Sequence, residues 1–225
     1  GVLAGVFVLL MVVAGAVVSE PLFRLALLLF GYAAGVSTNA SLTLMLGLTS
    51  PALAGTFIGV WGLAQAYARG VATVTGSGSQ WNNSSWLWVG WSGTATLNVI
   101  NGGVVSNSIG HIGHHPGSTG IATVTGAGSR WDNSSNFYVG RNGSGTLNVE
   151  AGGVVSSLVG FLGHESGSTG VATVTGSGSQ WNNLTSLYVG HTGNGTLAIT
   201  GGGTVSNVNG YLGYSSGSTG EVTVT

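Results

Sequence analysis

The chain has 225 residues, of which only 4 are Lys or Arg and 5 are Asp or Glu, so charged residues make up 4% of it, against roughly a quarter in ordinary soluble domains. A net charge of -1 carried by so few groups excludes the basic surface that nucleic acids and anionic lipids require. The chain has no cysteine, which excludes disulfides, thiolate metal sites and a cysteine nucleophile.

Residues 1–70 are predicted to form about three transmembrane helices. The first apolar stretch, Gly1–Val18, is nearly long enough to cross a bilayer core and ends before Glu20 and Pro21. Leu25–Leu48 and Ala52–Ala68 form the second and third stretches. A secretory signal is the alternative, and it is disfavoured because the apolar length is far too great and the start is not basic.

Three segments of this region resemble the later helices of the BCH/PucC family of membrane proteins. They are SEPLFR, FGYAAGVSTNASLTLM and AGTFIGVWGLAQAYARG, and the most specific string runs from Gly59 to Ala66. The family is major-facilitator-like and is implicated in assembling light-harvesting complexes and handling chlorophyll. The resemblance therefore implies a membrane location and, if the function is shared, a pigment-related role.

The chain from residue 71 onward is a 50-residue sequence written three times, followed by the start of a fourth copy at Glu221. Each copy is a doublet, because Thr73-Val74 is echoed 25 residues later by Asn98-Val99. Short runs that alternate apolar and polar residues between Gly, Ser and Asn predict strands and turns. Units of about 25 residues predict solenoid coils stacked about 4.8 Å apart. Residues 71–225 are thus predicted to form an all-β domain of about six coils.

Fixed landmarks recur in the three copies, in the pattern GSTG, ATVTGxGSxWxN, LYVGxxGxGTL and GGxVSN. This pattern resembles the repeat found in passenger regions of bacterial type V secretion (autotransporter) proteins and in some PEP-CTERM surface proteins. The resemblance implies a right-handed parallel β-helix at the bacterial cell surface, associated with adhesion. It brings no catalytic residues with it.

The predicted location is the bacterial cell envelope, with a membrane-embedded N-terminal region and an extracytoplasmic solenoid. Three crossings would put Arg24 and Arg69 on the same side, which the positive-inside rule makes cytoplasmic. The repeats follow Arg69 without a linker, so this two-arginine signal weakly contradicts the predicted side. We therefore also consider that the two halves were joined in a fused or misassembled reading frame.

Three histidines close together in the sequence raise the question of a metal site, since imidazole is a common zinc ligand. They are His111, His114 and His115, and the sister positions of His111 hold Phe161 and Tyr211. A position that accepts any aromatic residue suits packing or surface stacking better than coordination. We predict no metal ion and no cofactor.

The carboxylates do not recur between copies in the way that paired glycosidase acids would require. Asp132, Glu150 and Glu165 all correspond to non-acidic residues in the sister copies. The sequence also has no nucleophile elbow, phosphate loop, dinucleotide fingerprint or repeated calcium motif. We predict that the protein is not an enzyme and has no catalytic residues.

Three tryptophans that occur only in the first copy, Trp86, Trp88 and Trp91, are predicted to be surface ligand contacts. Indole faces suit sugar rings, but beside a membrane they equally suit the interfacial belt. Covering the open end of the first coil is a third interpretation, and the sequence does not decide between them.

Two columns of residues are predicted to form structural ladders. A spacing of 25 and β-branched side chains predict an inward aliphatic ladder of Val74, Val99, Val124, Val149, Val174 and Ile199. Alternating spacings of 24 and 26 predict amides stacked at one bend, with Ser157 as the break, namely Asn83, Asn107, Asn133, Asn183 and Asn207. Independent solvated turn residues are the alternative for the asparagines.

These patterns favour a non-enzymatic β-solenoid, tethered to the membrane by residues 1–70, that acts as a surface stalk or adhesin. The alternative is a fragment of a PucC-like membrane protein to which the repeats were fused or misassembled. The expected partners are the membrane and either a carbohydrate or other surface ligand of the solenoid, or a second solenoid through an open coil end. No nucleic-acid partner is expected.

Overall fold

The computed structural model describes residues 69–225, with the side chain of Arg69 excepted, and these residues form a parallel β-solenoid. Six coils of three strand segments each are followed by the first strand of a seventh, so the prediction of a parallel β-solenoid with about six coils is confirmed. The predicted transmembrane helices lie outside the described residues. Among the residues that are described, none belongs to a helix with the length and apolar character of a membrane span.

One side of the solenoid is a seven-stranded parallel sheet to which each coil contributes its first strand. Strands are numbered β1–β17 in chain order. The seven strands are β1 (Arg69–Thr75), β4 (Thr94–Ile100), β7 (Thr119–Thr125), β10 (Ser144–Glu150), β12 (Thr169–Thr175), β14 (Asn194–Thr200) and β17 (Thr219–Val224).

The rest of each coil lies in a ten-stranded parallel sheet that bends in the middle. Its first half contains β2 (Gln80–Asn82), β5 (Val104–Asn107), β8 (Arg130–Asn133) and β15 (Thr204–Ser206). Its second half contains β3 (Trp86–Val89), β6 (Ile109–Ile112), β9 (Phe137–Val139) and β16 (Asn209–Leu212). Two long strands, β11 (Val154–Leu162) and β13 (Gln180–Val189), run through both halves.

Strand pairing in the seven-stranded sheet keeps one register throughout. Each residue pairs with the residue 25 positions later, as in Leu97 with Ala122 and Val99 with Val124. Side chains alternate between the two faces of a strand, so in β7 the residues Ala122 and Val124 are buried while Thr123 and Thr125 are only half-buried. The inner faces of the two sheets form one continuous hydrophobic core.

The corners of successive coils differ in length although every coil has the same total. The first corner has four residues in odd coils (76–79) and three in even coils (101–103), and the last corner has four (90–93) and then six (113–118). In the shorter first corner Asn101 takes a left-handed conformation with φ of 54°, which asparagine tolerates better than most residues. The structural repeat is therefore the 50-residue pair of coils, and the alternation of 24 and 26 follows from these corners.

Glycine is required where the two sheets meet at the last corner. A side chain at Gly145 would place its Cβ against the backbone nitrogen of Gly140 and 2.6 Å from the carbonyl oxygen of Ile112. Both atoms belong to backbone that is fixed by strand pairing, so they cannot move aside. The glycine column at this position lets the backbone of adjacent coils pass within van der Waals contact.

Burial decreases in the sixth coil relative to the middle of the solenoid. The side chains of Trp131, Phe137 and Trp181 are fully buried. Leu162 in the fourth coil is 0% exposed, whereas Leu212, at the same place in the sixth coil, is 59% exposed. The third, fourth and fifth coils thus contain the best-packed part of the core.

Candidate functional site

The six residues of the predicted aliphatic ladder lie side by side in the seven-stranded sheet. They are direct partners in consecutive strand pairs, from Val74 with Val99 to Val174 with Ile199. The four middle residues are fully buried, and Val74 and Ile199 pack against the core from partly buried positions. This column positions the outer residues of the same strands but does not itself reach the surface.

The predicted asparagine column lies at the bend of the ten-stranded sheet, where it contacts the buried tryptophans. The side-chain amide of Asn107 donates to Oδ1 of Asn133 at 2.7 Å. The indole nitrogen of Trp131 donates to Oδ1 of Asn107 at 2.6 Å. Asn107 thus links two neighbouring coils and also provides the acceptor that a buried indole N–H requires.

The same arrangement is incomplete at the next pair of coils. The hydroxyl of Ser157 donates to Oδ1 of Asn183 at 2.7 Å, but the buried indole nitrogen of Trp181 has no hydrogen-bond partner. At the ends of the column, Asn83 is half-buried and Asn207 is exposed. The structure therefore brings the middle members of the column into direct contact and leaves the two outer ones apart from it.

The three predicted ligand-contact tryptophans form one exposed cluster on β3 and the corner that follows it. Trp86 and Trp88 have ring centroids 5.4 Å apart, and Trp88 and Trp91 have centroids 4.7 Å apart, both in edge-to-face geometry. Trp86 and Trp91 are each 46% exposed. Edge-to-face packing holds the indoles in fixed orientations, so the cluster presents preformed apolar surface to solvent.

The tryptophan cluster is the start of a column of stacked rings that crosses the second half of the ten-stranded sheet. Five successive ring pairs lie within 11° of parallel, with centroids 4.5 to 6.2 Å apart. The column consists of Trp88, His111, Tyr138, Phe161, Tyr188 and Tyr211. The predicted preference for aromatic stacking at the position of His111 thus describes one member of a longer column.

A second column lies beside the first, at the corner that follows the same strands. Trp91 packs on His114 with centroids 4.4 Å apart, and His191 stacks between His164 and Tyr214. Arg141 occupies the place of a ring in this column, where it donates a hydrogen bond of 3.2 Å to Nε2 of His114. The recurrence of aromatic, histidine or arginine side chains at this place is visible in the sequence, but its alignment with the first column is not.

Burial keeps the histidines of these columns neutral. Burial, reinforced by the neighbouring His114, Arg141 and His164, lowers the pKa of His111 from 6.5 to about 3. Burial and then Arg141 lower the pKa of His114 as well. The pKa of His164 is also lowered, again mainly by burial, and the adjacent Glu165 only partly offsets this.

The inner rings of the first column expose edges rather than faces, because each face is covered by the ring of the next coil. Phe161 is only 8% exposed and His111 only 2%. Accessible indole surface is found instead on Trp86, Trp88 and Trp91 in the first coil. The face as a whole is an apolar platform that has its exposed aromatic groups at one end.

The first half of the same sheet carries a polar pattern that repeats in each copy and is modified in the middle one. In the first and third copies an asparagine amide donates to the glutamine two residues before it, as Asn182 does to Gln180 at 3.1 Å. In the middle copy the same two positions hold Arg130 and Asp132, which form an ion pair of 3.0 Å. The sequence signal is the change from QWN to RWD, which composition alone does not reveal.

The described carboxylates are kept apart by the fold. Asp132 belongs to the ten-stranded sheet, whereas Glu150 and Glu221 lie on the outer face of the seven-stranded sheet. Glu150 and Glu221 are separated by three strand spacings, or about 14 Å, which exceeds the roughly 5 to 9.5 Å between glycosidase carboxyl groups. Within residues 69–225, no three histidine or carboxylate side chains are grouped closely enough to hold a metal ion.

Residues 1–112 match the family model described as PUCC protein, in agreement with the resemblance of the first 70 residues to that family. The match covers slightly less than half of the chain and ends with β6, so its last part includes the first two coils of the solenoid. No curated protein and no solved structure matches the chain.

Proposed function

We propose that the protein is a non-enzymatic β-solenoid, held at the bacterial membrane by residues 1–70, that acts as a surface stalk and adhesin. The observation that carries this proposal is the aromatic face of the ten-stranded sheet, where two columns of rings lead to exposed indoles in the first coil. Exposed indoles packed in fixed orientations are suited to apolar ring faces such as those of sugars.

Other features support the non-enzymatic part of the proposal. The described carboxylates are distributed over different sheets and corners, and strand pairing in the middle of the solenoid is continuous. The resemblance of the repeats to autotransporter and PEP-CTERM surface repeats supports an extracytoplasmic location. The family match over residues 1–112 supports membrane association.

The location is tested by protease treatment of intact cells that produce the full chain. We expect externally added protease to cleave the solenoid while a cytoplasmic marker protein stays intact. Complete protection of the solenoid in intact cells, followed by cleavage after lysis, would place it in the cytoplasm and contradict the proposal.

Adhesion is tested by replacing the tryptophan cluster with the residues of the third copy, in the variant Trp86→Ser, Trp88→Tyr and Trp91→His. The third copy folds with Ser186, Tyr188 and His191 at these places, so the substitutions suit the local structure. We expect the variant to reach the surface at the wild-type level and to lose most attachment of cells to glycan-coated plates. Unchanged attachment would remove the tryptophans from the binding function.

A second candidate function follows from one observation, the PUCC family match over residues 1–112. In this alternative the N-terminal part handles chlorophyll-type pigments and the repeats are adventitious. Purification of the full chain from a pigment-producing bacterium tests it. A visible absorption band of bound pigment at a fixed ratio to protein would favour this function, and colourless protein would favour the adhesin.

A further inference from the structure

A polar groove runs along the bend of the ten-stranded sheet and takes no part in the aromatic face. It has a volume of about 510 Å³ and extends from Asn83 in the first coil to Leu184 in the fifth. Four coil spacings correspond to a length of about 19 Å. The groove therefore has the dimensions of a site for an extended chain of several units that lies parallel to the solenoid axis.

The centre of the groove is the ion pair of Arg130 and Asp132, which retains unused hydrogen-bonding capacity. Oδ1 of Asp132 accepts from the guanidinium at 3.0 Å and from the hydroxyl of Ser156 at 2.8 Å. The side chains of Arg130 and Asp132 are 54% and 30% exposed. A carboxylate has a second acceptor oxygen and a guanidinium has five N–H donors, so both remain able to bind hydroxyl groups.

The groove discriminates between classes of polymer. Each described strand that borders its centre is hydrogen-bonded on both sides, β8 to β5 and to β11, so a peptide cannot add there as a further strand. The groove contains one guanidinium, which is already paired with a carboxylate, so it lacks the row of free cations that a nucleic acid or an anionic polysaccharide requires. Uncharged polyhydroxyl chains are the class that fits.

One wall of the groove is apolar. Leu184 is 71% exposed and occupies the position that Ser84 and Ser134 hold in the other two copies. An exposed leucine in a chain with few exposed apolar side chains at this bend provides a surface for the C–H face of a sugar ring. Polar groups at the centre and an aliphatic wall at one end are the two kinds of contact that a pyranose chain makes.

We propose that this polar groove binds a neutral linear glycan that lies along the solenoid axis. Arg130 and Asp132 hydrogen-bond to its hydroxyl groups, and Leu184 packs against one of its rings. The inference rests on the proposed adhesive function and names the ligand class and a site for it that is separate from the tryptophan cluster.

The test measures saturation-transfer NMR signals from four neutral hexasaccharides, cellohexaose, xylohexaose, mannohexaose and chitohexaose, with the purified full chain. The matching variant, Arg130→Gln with Asp132→Asn, introduces the pair that the first and third copies carry, so it is compatible with the fold. We expect at least one hexasaccharide to bind the wild type and to bind this variant about tenfold more weakly, the effect of one or two lost hydrogen bonds. Leu184→Ser should weaken the same ligand.

The control variant is Glu150→Thr, which introduces the residue of the third copy on the outer face of the other sheet and should bind as the wild type does. The absence of binding of all four hexasaccharides would overturn the proposal. Tighter binding of a hyaluronan hexasaccharide than of any neutral one would also overturn it. Binding that is lost in the tryptophan variant and unchanged in both groove variants would place the ligand on the aromatic face, so the groove would be refuted while the adhesive function stood.

Discussion

Position 157 determines whether a buried indole has an acceptor. Asn107 receives the indole N–H of Trp131 and also donates to the next coil, so one side chain serves two partners. Ser157, in the same place two coils later, reaches the next coil but leaves the N–H of Trp181 without a partner. A buried donor without an acceptor costs roughly 1–3 kcal/mol.

Replacing Ser157 with Asn should therefore stabilise the solenoid. The amide would restore both contacts, and we expect a gain of roughly 0.5 to 1.5 kcal/mol in the free energy of unfolding. Urea unfolding of the full chain, followed by tryptophan fluorescence, measures this. As a control, Ser157→Ala removes the bond to Asn183 and should lower the midpoint. A lower midpoint for the asparagine variant would contradict the geometry described above.

Stability should fall as the medium becomes acidic, because His111 is held neutral in the folded state. Its pKa is 6.5 in an unfolded chain and about 3 in the fold, so below pH 6.5 the unfolded state binds a proton that the folded state does not. The contribution is intact above pH 6.5 and is lost as the pH falls toward 3. Between pH 6.5 and 5 the loss is roughly 2 kcal/mol.

The matched variant for this effect is His111→Phe, which introduces the residue found at position 161. Phenylalanine keeps the stack and cannot titrate. We expect thermal unfolding of this variant to depend less on pH between 7 and 5 than that of the wild type, with the remaining slope due to His114 and His164. Equal slopes for the two proteins would show that His111 does not cause the effect.

Each first strand combines a buried aliphatic side with a half-buried threonine side, and the two sides should respond differently to a charge. Val124→Asp would bury an unpaired carboxylate in the core and should cost roughly 3 kcal/mol or more. Thr123→Asp on the other side of the same strand should stay within about 0.5 kcal/mol of the wild type. Denaturant unfolding of the two variants measures the difference, and equal midpoints would refute the orientation of β7.

Periodicity was enough to predict the strands and their pairing, and it could not predict the corners. A spacing of 25 aligns Val99 with Val124 because parallel coils repeat the same backbone path. The unequal corners at 76–79 and 101–103 keep that total constant, so the sum hides them. The columns of rings were predicted only at His111, and the bond from Trp131 to Asn107 was not predicted, because side-chain contacts between coils depend on rotamers that spacing does not specify.

At the scale of the whole solenoid, stability should follow burial, since each coil contacts only its neighbours. Leu162 and Leu212 are a matched pair, with the same residue in the same place, fully buried in the fourth coil and 59% exposed in the sixth. We expect backbone amides around Leu162 to exchange with solvent at least tenfold more slowly than those around Leu212. Hydrogen exchange with mass spectrometry of the full chain tests this, and uniform protection would indicate a single cooperative unit.

The fixed 50-residue period also has a consequence for inheritance. Because every strand pairs with the strand one coil away, recombination between two copies of the coding sequence would add or remove two whole coils and leave each remaining residue with a partner of the same kind. Each event would change the length of the solenoid by about 10 Å. The reach of such a protein can therefore evolve separately from its chemistry, since the RWD segment and the tryptophan cluster each occur in one copy and would be kept, lost or duplicated as units.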